Sequence, residues 1–211
     1  MYYKVHCSIK AYRVVSQVLR SVNLLGKFAH DLPMFFAVAL LTLLLLSLTA
    51  LYLPPPEEFI TELRQTGKEL KNIANITHVS VRATIIFLNN ARVNTLLAAP
   101  FISIIIYPTM IVTTAWVLRV AVSEIANNTA IMQGILYQSI ILLLLLPHSY
   151  LETLSYGIAF VCSNKLMVAL LRDLRKKRFT EDTILYYIFA IVVSFLILLI
   201  AAFVESYLMP A

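Results

Sequence analysis

Two glutamates carry the chemical interest of this chain. Glu205 follows residues 184 to 204, which hold no charge, and Glu152 comes a few residues after five consecutive leucines, Leu142 to Leu146. A carboxylate beside so much apolar sequence is expensive to bury unless a partner faces it, and such groups mark either helix-to-helix contacts or a path for ions or substrate. His148 stands four residues before Glu152, on the same face if helix begins there. Asn90, Arg92 and Asn94 interrupt another apolar stretch and supply donors for the carboxylates. If these six residues share one level, they form a polar cluster at one end of a bundle, with Arg92, Asn90 or Asn94 contacting Glu152 or Glu205. His148 and Glu152 are an incomplete ligand set, and no metal or other cofactor is expected.

What must position them is a membrane. Of 211 residues, 60% are hydrophobic and only 13% charged, and the apolar runs reach the roughly 20 residues that a helix needs to cross a hydrocarbon core. The runs are continuous rather than alternating, which excludes a closed barrel and gives an all-α fold whose helices satisfy their own backbone. Cys7 and Cys162 are far apart, so neither a disulfide framework nor a cysteine-rich metal site is expected.

Residues 1–33 read as a basic arm, with Lys4, Lys10, Arg13, Arg20 and Lys27 against Asp31. Val14, Val15, Val18, Leu19, Val22 and Leu25 recur at helical spacing, as in an amphipathic helix lying at the interface. Residues 34–211 form the bundle. Its first span runs from Met34 to Leu53 and ends at Pro54, Pro55 and Pro56. An outer loop, 54–82, has balanced charge and a short amphipathic helix through Ile60, Leu63, Leu70 and Ile73. After an interfacial piece up to Arg92, a second span from Val93 to Leu118 is expected to be kinked by Pro100 and Pro108, which would break bonds to Leu96 and Ile104. The polar link 119–129 leads to a third span, Ala130 to Leu146; Pro147 turns the chain into a fourth, Tyr150 to Leu171. A basic loop, 172–182, precedes the fifth, Thr183 to Leu208.

The arm and residues 172–178 each hold five lysines or arginines, which places both in the cytoplasm and the C-terminus outside. The net charge of +6 therefore suits anionic lipid rather than nucleic acid. On this topology Asn75-Ile-Thr77 faces outward and Asn127-Asn-Thr129 faces the cytoplasm.

The segments Phe87-Leu-Asn-Asn-Ala-Arg-Val-Asn94, Leu146-Pro-His-Ser-Tyr-Leu-Glu152 and Ala201-Ala-Phe-Val-Glu-Ser-Tyr-Leu-Met-Pro210 resemble, in order and spacing, the stage II sporulation protein M family of membrane proteins. The resemblance covers roughly residues 30 to 210. It implies that Asn90, Asn94, His148, Glu152, Glu205 and Pro210 fall on recurrent polar positions of that family. It also implies a membrane anchor, since the name-giving protein of spore-formers holds peptidoglycan-degrading partners during engulfment. Gly134 is the one glycine in the second and third spans, which argues against close glycine-mediated helix approach there.

Three functions follow as expectations. The first is a non-enzymatic, dimeric membrane scaffold that organises envelope-remodelling partners. The second is a small transporter or channel subunit with a polar path near Glu152 and Glu205. The third, an intramembrane hydrolase, would need a nucleophile or a complete metal site beside His148, and the chain offers no phosphate-binding glycine loop, no His-Glu-x-x-His and no serine or cysteine with its own histidine and acid.

Overall fold

Seven helices account for nearly all of the described chain: α1 (Tyr2–Tyr52), α2 (Glu57–Ala74), α3 (Val79–Ala98), α4 (Ser103–Ser123), α5 (Thr129–Leu145), α6 (Pro147–Lys176) and α7 (Glu181–Leu208). The computed structural model describes the backbone of residues 2–126, 128–176 and 181–208, and side chains within 23–126, 128–174 and 181–208. The apolar face expected of the arm between Val14 and Val22, Cys7, the basic stretch from Arg175 to Arg178, Asn127 and Pro210 lie outside the described side chains. The chain divides into two compact units, Met1–Met34 and Phe35–Ala211, with the boundary inside α1. In the described part of the first, Leu25 is exposed and His30 Nδ1 lies 3.5 Å from Asp31 Oδ1.

The second unit is an all-helical membrane bundle. Asn23–Tyr52, α4, Pro147–Leu174 and α7 are long and apolar enough to cross a membrane, and α5 is a shorter apolar helix. Along α7, Ala190, Ser194, Ala201, Ala202 and Ser206 are buried, while Ile188, Val192, Leu196, Ile200 and Phe203 are exposed. Small residues inside let helices approach closely, and lipid takes the bulky ones.

Contacts fix the helix directions. Ser163 bonds Ser103 at 3.1 Å and the Phe160 ring stacks on Tyr107 at 4.1 Å, so α6 runs antiparallel to α4. Thr42 meets Tyr107 at 2.5 Å and Arg119 Nη1 reaches the carbonyls of Ala50 and Leu51 at 2.9 Å, so α1 runs parallel to α4. Asn94 touches Ser194, and Arg82 touches Ser206, which makes α3 antiparallel to α7.

The expected second span is therefore two helices. Pro100 ends α3 rather than kinking it: Ala99 before it takes an extended ψ of 118°, as the proline ring demands, and Phe101 adopts φ 70° to reverse the chain. Pro108, in contrast, lies within α4.

The link 119–129 is corrected as well. The C-terminal end of α4 and the N-terminal end of α6 lie at the same end of the bundle, and α5 must leave from and return to that end. Its 17 residues measure about 25 Å. Glu124 and Ala126 still bond back to Val120 and Val122, so the five-residue link to α5 is too short to carry its start to the far end. Arg64 of α2 makes an ion pair with Glu124 at 2.7 Å, which fixes this link beside the 54–82 segment instead of opposite it. The rods that run the length of the bundle are α1 from Phe35, α3, α4, α6 and α7. Their number agrees with expectation, but α3 takes the place assigned to residues 130–146.

Candidate functional site

Three polar layers tie α3, α6 and α7 together. The deepest centres on Asn94, Ser155 and Ser194, all completely buried. Asn94 Nδ2 donates to Ser194 Oγ at 2.8 Å; Ser155 Oγ donates to the Ser194 carbonyl, and Ser194 Oγ can donate to the Ser155 carbonyl, each at 3.0 Å. Ser194 is the midpoint of the uncharged residues 184–204 of α7, so a membrane centred on that stretch would have this knot near its middle. Serine and alanine at the contact allow the backbones to come near enough for side chains to reach main chain.

At one end Arg82 is 2% exposed. Its Nη2 donates to the Ser206 carbonyl at 2.5 Å, Nε to Ser206 Oγ at 3.2 Å and Nη1 to the Ala74 carbonyl at 3.1 Å. Ser206 Oγ in turn donates to the Val79 carbonyl at 2.8 Å. The guanidinium thus caps the open carbonyls at the ends of α2 and α7, which a buried helix end requires.

Between these layers lie the two carboxylates, both half-buried. Tyr156 donates its hydroxyl to Glu152 Oε1 at 2.8 Å. Glu205 lies near enough to feel the charge of Glu152. Side chains lean toward the start of their own helix, so Glu152 on α6 and Glu205 on the antiparallel α7 reach toward each other. One turn before Glu152, His148 Nδ1 and Ser149 Oγ are buried with no hydrogen-bond partner among the described residues. No three His, Cys, Asp or Glu side chains converge on a metal-sized site among them either.

The six residues expected at one level are thus divided. Glu205 lies within reach of the charge of Glu152, and His148 shares the α6 face of Glu152 because α6 begins at Pro147. Asn94 lies about 16 Å along α7 from Glu205 and bonds serines. Asn90 is half-buried on α3, and Arg92 is exposed with no ion pair or hydrogen bond among the described residues. The reason is the start of α3: helix begins at Val79, so Asn90, Arg92 and Asn94 lie several turns along it instead of at its mouth.

Arg82, Tyr156, Ser155, Ser194 and Ser206 escaped sequence reasoning. In the sequence Arg82 reads as one of the balanced charges of the outer loop 54–82. A signal existed for the serines, since Ser155, Ala159 and Ser163 recur every four residues, a spacing of small residues that marks a helix contact.

Neither a curated protein nor a solved structure matches the chain. The family model described as stage II sporulation protein M matches residues 32–210. That match spans every lengthwise helix of the bundle and all three polar layers, so the chain belongs to the stage II sporulation protein M family.

Proposed function

We propose that the protein is a non-enzymatic integral membrane scaffold or anchor that organises partner proteins in envelope or membrane remodelling, working as a homodimer. The observation that supports this reading is how the buried polar groups are used. Asn94, Ser155 and Ser194 bond one another, and Arg82 bonds helix ends, so polarity inside the bundle is spent on holding helices together. The family membership points the same way.

In this proposal the plasma membrane holds the chain with the N-terminus in the cytoplasm and the C-terminus outside. The end of the bundle away from Arg82 is where α6 finishes at Lys176, and the lysines and arginines of the sequence 172–178 suit the anionic inner leaflet. Tagged protein extracted in mild detergent should bring down discrete envelope proteins as well as a second copy of itself. Recovery of the chain alone, at native expression, would remove the scaffold reading.

One observation favours a second reading, a transporter or channel subunit: Glu205 lies within reach of the charge of Glu152, and one turn before Glu152 the buried His148 Nδ1 and Ser149 Oγ have no hydrogen-bond partner among the described residues. Reconstituted vesicles decide it. Ion or proton flux that disappears in Glu205→Gln, with assembly intact, would favour transport.

A further inference from the structure

We propose that Arg92 marks an intramembrane docking face on α3 for a partner protein's transmembrane helix that carries an aspartate or glutamate near its middle. The inference rests on the scaffold reading and adds where in the membrane the partner binds and by what chemistry.

The depth of Arg92 carries the argument. Asn94 is held at the level of Ser194, the midpoint of α7, and Arg92 is two residues, about 3 Å, from it along the helix. Half of the hydrocarbon core is about 15 Å, so the nearer interface is farther away than an arginine side chain can stretch. Arg92 is nevertheless exposed, within the stripe Val81, Thr84, Leu88, Arg92 and Thr95 that α3 turns away from its neighbours. The hydroxyls of Thr84 and Thr95 are satisfied by the carbonyls of Ser80 and Ala91, which leaves the guanidinium as the unmet group of this face. A guanidinium held in hydrocarbon calls for an acceptor, and a carboxylate matches it best.

A second copy of the chain does not supply one. At this depth the one described carboxylate is Glu152, which is half-buried and already accepts from Tyr156, while Glu205 lies about 13 Å nearer the Arg82 end. Two copies meeting on α3 would set arginine beside arginine, a repulsion that low dielectric magnifies. The proposed homodimer therefore uses another face.

The test places a photoreactive benzoylphenylalanine at Leu88, one turn from Arg92, in the full chain in its native membrane. We expect an adduct with another protein, and mass spectrometry of the joined peptide should place it in a transmembrane helix with Asp or Glu near mid-span. Arg92→Leu should lower its yield about tenfold and Arg92→Lys should keep most of it. A probe at Leu196, exposed on α7 and outside this stripe, serves as the control for folding and expression. Replacing the captured acid by leucine should reproduce the loss. Adducts with lipid alone, with a second copy alone, or with a helix lacking an acid each overturn the inference. So does a yield indifferent to Arg92→Leu, and if partners still co-purify then, the scaffold reading stands without it. Absence of any co-purifying partner removes both.

Discussion

Arg82 and Ser206, 124 residues apart, are joined twice: the guanidinium bonds both the carbonyl and the hydroxyl of the serine, at 2.5 and 3.2 Å. A third bond reaches Ala74, so one side chain fastens α2, α3 and α7. Arg82→Leu would leave buried carbonyls without donors. Each hydrogen bond to a charged group contributes about 1.5–3 kcal/mol, and we expect a loss of about 3 kcal/mol, with Arg82→Lys in between. Thermal unfolding in detergent measures it, and limited proteolysis should show the link between α2 and α3 opening first. Equal stability of Arg82→Leu and the parent would mean that the carbonyls find water instead.

The Asn94 knot should behave as a unit. Single replacements Asn94→Ala and Ser194→Ala each remove a bond in a fully buried site, and side-chain bonds between membrane helices average about 0.6 kcal/mol with an upper range near 1.7. A double-mutant cycle should give a coupling of that size, positive and well above zero. Additive losses would show that the two side chains do not depend on each other.

Sidedness is open to direct labelling. Single cysteines at Glu58 on α2 and at Ile125 beyond α4 should react with an impermeant maleimide from the same side, because Arg64 and Glu124 form an ion pair between these segments. A cysteine at Asp173 should react only from the other side. Labelling of Ile125 with Asp173 would restore a full passage to α5 and undo the helix order described above.

Much of the fold was legible because lipid imposes a coarse rule. The first, fourth and fifth expected spans correspond to α1, α6 and α7, whose long apolar runs name themselves. The rule failed where a helix is shielded by protein. Residues 79–98 carry Arg82, Asn90, Arg92 and Asn94, so hydropathy withheld a passage from α3, and it granted one to the more apolar α5, which leaves from and returns to the same end of the bundle. Proline is ambiguous for a related reason. Pro100 and Pro108 both remove a donor, and only the left-handed Phe101 beside the first turns a kink into a reversal. Of the site, Glu152 and Glu205 were visible as isolated charges, whereas Arg82 was hidden among the charges of a loop.

Gly157 and Gly134 make the last comparison, because the two positions ask opposite things of the same substitution. A Cβ at Gly157 would stand 3.1 Å from the Phe35 carbonyl oxygen, 3.5 Å from Val38 Cγ1 and 3.6 Å from Ala39 N, so the obstacle is largely backbone of α1. Backbone in a helix moves only with the helix, and the neighbouring Thr42–Tyr107 bond and Tyr107–Phe160 stack would have to move with it. Overpacking of this kind costs about 1–3 kcal/mol. A Cβ at Gly134 would meet nothing within 4 Å, and there alanine adds only its helix propensity, worth up to about 1 kcal/mol. Gly134→Ala should therefore hold or raise the unfolding temperature, and Gly157→Ala should lower it despite the same gain in propensity. Gly157→Leu should lower it further. If Gly157→Ala were as stable as Gly134→Ala, α1 would not be seated against α6 at Phe35, and the close approach would not be part of the folded bundle.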